Sequence, residues 1–227
     1  MAKCRPMVRA QPMLWDDDSD TMTLGEFAPP GGSDVRESDT AGYEAAPAWV
    51  FESALFPDGG TIGTNPSPHG GTWAYVVVDP YRDIRADCDS GTVAQADFTD
   101  RPVYLTNNTA ELYAAVLGLR ALPDGWEGAV YSDSQTTIRR LEKARDGLKN
   151  PMLGCPRDLV EAAYAEVRRV GQFRCVLIAG HPTKAELLHC QTQMVYRDPA
   201  TGRAYSRHNH HADKLCNEAA RDWARRL

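Results

Sequence analysis

The sequence predicts an α/β fold of the mixed α+β kind: one five-stranded mixed sheet with helices packed on it. Three observations carry that expectation. Three strand-like segments follow one another before any helical periodicity begins, which suggests an antiparallel meander. The later strand-like segments alternate with helical ones, which suggests parallel pairing. The helical segments repeat their apolar residues at three- and four-residue spacing, one face each, as helices lying on a sheet require.

The elements follow in order. "SALF" is a short strand that runs into "PDGGTIGTNPSPHGG", a long Gly/Pro/Asn turn. "TWAYVVVD" is a second strand, and its β-branched run suggests burial. "DSGTVAQADF" holds a third. A helix follows, with Leu112, Ala115, Val116 and Leu119 on one face, and "LPDG" ends it. "GAVYSD" is a strand leading into a helix from Ser134, with Ile138 and Leu141 inward. "GLKNPMLGCP" is a loop, and Val160, Ala163, Tyr164 and Val167 mark the next helix. "FRCVLIAGH" is the last strand, a long polar stretch from Pro182 follows, and a helix carrying Leu215, Ala219 and Trp223 closes the chain. The predicted order is β-β-β-α-β-α-α-β-α.

Charge divides the 227 residues in two. Residues 1–48 carry nine acids against four bases, while the rest is close to neutral, twenty-two acids against twenty-one bases. Residues 1–47 therefore read as an acidic, disordered N-terminal tail, poor in anything to bury. Residues 48–227 read as one folded domain. A near-neutral body leaves a local nucleic-acid patch open without arguing for one. No apolar run approaches a membrane span, and the N-terminus has no export pattern. The six cysteines are scattered with no CxxC pair, so reduced thiols and a cytoplasmic location are expected.

Within residues 104–122, "YLTNNTAELYAAVLGLRAL", Glu111 is the one acid. Taken alone it is an acid in the first turn of a helix, where the helix dipole favours negative charge. Three other acids sit at comparable places: Asp58 at the end of the first strand, Asp133 at the end of the fourth, and Asp213 in the first turn of the last helix. Ligands gather beyond the carboxyl ends of strands in open sheets. Four clustered carboxylates raise one another's pKa unless cations neutralise them. Mg²⁺ suits such oxygen donors, and a pair of such ions can serve phosphodiester cleavage.

The neighbouring residues add to this. Asp58-Gly59-Gly60, Asn65-Pro66, Gly70-Gly71-Thr72-Trp73, Thr106-Asn107-Asn108-Thr109-Ala110-Glu111-Leu112, Ser132-Asp133-Ser134 and Asn209 to Cys216 occur in that order. The set resembles the ribonuclease H type 1 family over about 180 residues. The resemblance implies a ribonuclease H-like fold and endonucleolytic hydrolysis of the RNA strand of an RNA–DNA hybrid, with two Mg²⁺ ions or Mn²⁺ in their place. It implies that Asp58, Glu111, Asp133 and Asp213 are the metal ligands and that His181 helps a proton and the product leave. It implies that Thr106 meets a DNA-strand phosphate, that Asn107, Asn108 and Gln135 reach the minor groove, and that the backbone from Gly59 and Gly60 to Asn65 lies against the RNA strand. A shallow minor groove displaying 2′-hydroxyls suits uncharged amides. Asparagines before a helix also serve as ordinary turn formers.

The sequence departs from that pattern in places. Position 60 is Gly where the family commonly has Ser. The stretch from His181 to Asp213 is long, so residues 182–207 read as an insertion, and His208, His210 or His211 could serve in place of His181. The basic helix that grips substrate in some members is represented only by Lys143, Arg145, Lys149 and Arg157. The Cys and His spacing fits no standard zinc pattern. The chain is expected to act as a monomer on hybrids and away from membranes. Two alternatives stand beside this expectation: a nuclease of the same fold acting on another nucleic-acid structure, and a non-catalytic hybrid-binding module.

Overall fold

A computed structural model describes residues 53–79, 87–102, 104–147, 154–190 and 193–226 of the chain. The chain divides into two units, Met1–Pro47 and Ala48–Leu227. The expected tail at 1–47, and Lys149 of the basic set, lie outside the described residues. The second unit contains β1 (Ala54–Thr61), β2 (Gly71–Val78), β3 (Asp87–Val93), α1 (Asn107–Ala121), β4 (Gly128–Ser132), α2 (Gln135–Arg145), α3 (Arg157–Val170), β5 (Phe173–Leu177), α4 (Lys184–His189), β6 (Tyr196–Arg197), β7 (Ala204–Tyr205) and α5 (Arg207–Ala224). Five strands form one sheet in the order β3-β2-β1-β4-β5. The pairs β1–β2 and β2–β3 are antiparallel, while β1–β4 and β4–β5 are parallel. The expected mixed sheet is therefore present. Among the described residues no helix is long and apolar enough to cross a membrane.

α1 is the hub of one face. Thr106 caps it by accepting from the Thr109 N–H at 3.3 Å, satisfying a donor that the first turn would leave free. Leu112, Ala115, Val116 and Leu119 are buried as the spacing predicts. Ala110, Ala114 and Gly118 are buried too, because α1 lies between β1–β2 and the helices α2 and α3. Arg169 of α3 ties off the other end of α1, donating to Leu119 O at 2.7 Å and Leu122 O at 2.8 Å. The opposite sheet face is covered by α5 over β1, β2 and β3.

β1 departs from expectation. The Pro-Asp-Gly-Gly run reads as a turn, yet it continues the strand to Thr61, and Asp58 pairs with Ala74 of β2. Asp58 therefore lies inside β1 and not at its end. Pro57 is tolerated because β1 pairs with β4 only at Ala54 and Leu55, so no ladder bond on that side is lost. Gly59 is needed for packing: a Cβ there would overlap the backbone of Ala110 and Glu111. The closeness of β1 to α1 at this point sets Asp58 and Glu111 side by side. Gly59→Ala should cost about 1–3 kcal/mol or more through overpacking, read as a lowered urea midpoint.

Glu111 and Asp213 are also placed differently. α1 begins at Asn107 and α5 at Arg207, so neither helix has an acid in its first turn and both residues fall in the second. The caps, Thr106 and Ser206, draw polar residues into each first turn ahead of the acid. The 182–207 stretch is also more ordered than a polar loop. It holds α4, capped by Thr183 and Glu186, and the two-stranded β6–β7 ribbon.

Candidate active site

Four acids reach one place from four elements: Asp58 from β1, Glu111 from α1, Asp133 from the end of β4, and Asp213 from α5. Asp58 is at the centre electrically. Burial first, then the charges of Asp133, Asp213 and Glu111, push its carboxyl up to about 8, against a hydrogen bond from the Gly59 N–H. Glu111 is pushed up to about 7, chiefly by burial. Hydrogen bonds from Ser134 and Thr137 oppose that shift, as does the charge of Arg140. Asp133 is raised by burial, against its own backbone N–H, the charge of His181 and the Asn209 side chain.

The chemistry of this set is that of hard oxygen donors, which suits Mg²⁺ or Mn²⁺. Removing four such carboxylates from water without a counter-charge is unfavourable, as the raised Asp58 and Glu111 record. Among the described residues, however, no three His, Cys, Asp or Glu side chains stand as a ready-made ligand group. The acids share a site as charged neighbours, not as a finished cage.

Several residues that hold these acids escape a reading of the sequence. Gly180 packs so close to Asp133 that a Cβ would overlap its Oδ2. Asn209 is buried on α5 and bonds Asp133, while its own Oδ1 has no partner among the described residues. Thr137 Oγ1 donates to Glu111 Oε2 at 3.4 Å. Cys216 Sγ donates to Asp58 O at 3.3 Å. Asn209 falls within a motif already singled out, but its side-chain role shows only in three dimensions.

The predicted substrate residues gather around the start of α1. Asn107 N–H donates to Asn65 Oδ1 at 3.3 Å, and Thr61 Oγ1 donates to Asn107 Oδ1 at 2.9 Å. Asn65, Asn108 and Gln135 are exposed, and Arg140 Nη1 binds Asn108 O at 2.8 Å. The Thr106 hydroxyl is engaged as the helix cap. Gly59 spends its small size on α1. At Gly60 a Cβ would come within 3.3 Å of Thr72 Oγ1, so little room remains for a larger residue.

The histidines separate by environment. His181 has an 83% exposed side chain and places Nδ1 4.0 Å from Asp213 Oδ2. Its φ of 50° turns the chain sharply at that point. His208 is buried beside Phe56, and burial holds it neutral down to about 4. Burial also lowers His210 and His211.

Three antiparallel strands followed by two parallel ones, with α1 and α5 on opposite faces and acids at the centre, make the ribonuclease H-like fold. In sequence the chain is similar to a ribonuclease H over part of its length. A ribonuclease H of Campylobacter concisus is 34% identical over 80 residues, covering 35% of this chain and 45% of that relative. The chain thus matches under half the length of that curated relative. No family model matches. Two solved structures are similar at a distance. One is the N-terminal RNase H domain of a Mycobacterium tuberculosis protein, solved as a fusion with maltose-binding protein. It is 20% identical with a TM-score of 0.45, covering 77% of this chain and 97% of that one. The other is RNase H1 of Halobacterium salinarum, 21% identical with a TM-score of 0.45, covering 75% of this chain and 98% of that one.

Proposed function

We propose that the chain is an endoribonuclease that hydrolyses the RNA strand of RNA–DNA hybrids with two Mg²⁺ ions, Mn²⁺ serving in their place. The observation that carries this is the electrical coupling of Asp58 to Glu111, Asp133 and Asp213 beside an amide-rich helix start. Asp58, Glu111, Asp133 and Asp213 would hold the ions. Bound there, such ions lower the pKa of water and neutralise charge on the leaving oxygen of a phosphodiester.

The protein's own groups do the remaining work. Gly59 N–H, Ser134, Thr137 and Asn209 orient the acids. Asn65, Asn107, Asn108 and Gln135 offer amides to a minor groove, where 2′-hydroxyls mark the RNA strand. The start of α1 offers the positive end of its dipole to a phosphate, with Thr106 at its edge. His181, exposed beside Asp213, takes up and releases a proton at Nδ1 as product leaves.

Residues 48–227 would be the catalytic unit, acting as a monomer in the cytoplasm; the five free cysteines among the described residues suit a reducing compartment.

The test is cleavage of end-labelled duplexes in Mg²⁺. The RNA strand of the hybrid should be cut, with DNA duplex and RNA duplex intact and the Asp133→Asn variant inactive. An uncut hybrid, an equally active variant, or comparable cleavage of all-DNA duplex would overturn the assignment.

A further inference from the structure

The 182–207 segment has an arrangement that covering the sheet does not require. It is rooted at the site on both sides. The Ala179 N–H, next to Gly180, donates to Ala204 O at 2.7 Å, and Ser206, the cap of α5, donates to Met194 O at 2.7 Å. Ala204, Met194 and Val195 pack with Phe56, Tyr131 and Ile178, on a stretch of sheet next to α5. Tyr205 and Cys190 are buried, and His189 stacks on Tyr196 at 4.8 Å, fastening α4 to the ribbon.

The charged side chains of the segment divide by sign. It carries four bases, Lys184, Arg197, Arg203 and Arg207, against two acids, Glu186 and Asp198. Both acids are used inside the segment. Glu186 caps α4 through the Thr183 N–H at 2.7 Å, and Asp198 closes the turn to the ribbon through the Ala200 N–H at 2.8 Å and Thr201 Oγ1 at 2.7 Å. All four bases are exposed, and among the described residues none of the four forms an ion pair. Arg197 bonds a carbonyl, Gly202 O, and Arg203 lies over the Tyr205 ring, where its charge also acts on Glu186.

The expected handle on α2 and α3 differs in part: Lys143 is exposed with no ion pair among the described residues, but both arginines are engaged. Arg145 pairs with Asp146 at 3.3 Å and bonds Phe173 O, and Arg157 pairs with Glu161 at 2.9 Å.

We propose that the 182–207 segment is a phosphate-contacting arm for the nucleic-acid substrate, with Lys184, Arg197, Arg203 and Arg207 as its contacts. It rests on the assignment of the site to a nucleic acid, and it places the grip of this chain on a segment other than the helical handle. Each phosphate contact releases counterions and adds about 0.9 to the slope of log affinity against log salt.

The test is anisotropy of a labelled RNA–DNA hybrid titrated over a range of KCl, in an Asp133→Asn background so that the probe survives. Arg197→Gln with Arg203→Gln should reduce the slope by roughly two and weaken binding about tenfold at moderate salt. Arg145→Gln with Arg157→Gln should change it far less. If the ribbon pair fails to fold, Lys184→Gln with Arg207→Gln carries the same expectation. An unchanged slope in a variant that melts like its parent overturns the arm, as does a larger effect from the Arg145/Arg157 pair. A protein with wild-type Asp133 that leaves the hybrid uncut, combined with a reduced slope in the arm variants, overturns the nuclease and supports the arm. A cutting protein with unchanged slopes does the opposite.

Discussion

Asp58→Asn is expected to raise the melting temperature of the protein in chelator at pH 7.5 while abolishing hybrid cleavage. The carboxyl of Asp58 is held near 8 in the fold, against an ordinary value of 3.8, by burial and by three acidic neighbours. At a pH below 3.8 the folded and unfolded chains both keep the proton, and its neutral form is buried without charge. As pH rises toward 8 the unfolded chain ionises freely and the folded chain resists, so stability falls through that window. Glu111, raised from 4.5 to about 7, acts in the same direction. His208, held down to about 4, opposes them below 6.5, so the difference between variant and wild type at each pH is the quantity to measure. Asparagine keeps the shape and removes the charge. The gain should be roughly 5 °C at pH 7.5, about 2 kcal/mol for a domain of this size, and should shrink toward pH 4. Mg²⁺ or Mn²⁺ should raise the wild-type melting temperature and leave the variant nearly unmoved, because ligands stabilise the state that binds them. Equal melting curves in chelator across pH would show that the Asp58 charge is not confined as described.

The same residue shows how far the sequence could be read. Periodicity located α1, α2 and α3, but it marked the buried face fully only in α2: α1 is buried on nearly all sides, and α3 buries Leu159 and Val170 beside Ala163 and Val167. The four acids were legible as a set, each being tied to a recognisable short motif. Their exact places were not. Pro-Asp-Gly-Gly carries every local signal of a turn, and its antiparallel pairing with β2 through Thr61 makes it strand, with the early end of β1–β4 pairing leaving room for Pro57. Glu111 and Asp213 looked like first-turn acids because the residues ahead of them are polar. Those residues are inside the helices, with capping one turn earlier at Thr106 and Ser206. The 182–207 segment was read as a loop because a helix of six residues and strands of two are too short for any period to register. It is held by a bond from Ala179 to Ala204 and by one within the segment from Ser206 to Met194, neither of which a local pattern encodes.

Gly180 is the clearest residue of this second kind, and Gly180→Ala should cut hybrid turnover by about a hundredfold with little change in KM. Its φ lies outside the left-handed region, so alanine brings no backbone strain. The whole cost is the methyl group, which would overlap Asp133 Oδ2. Asp133 is also held by the Asn209 side chain from α5, so it has few ways to retreat without losing that bond. Moving a reacting group by about 1 Å costs on the order of a hundredfold in rate. The amides of Asn65, Asn107 and Asn108 are untouched, so binding of the hybrid should persist. A structural glycine would behave otherwise: its replacement would lower the melting temperature and leave the turnover of the folded fraction intact. Steady-state kinetics beside thermal melts separate the two. Wild-type turnover in Gly180→Ala would mean that Asp133 does not need its present position, and would count against placing it among the acids that do the chemistry.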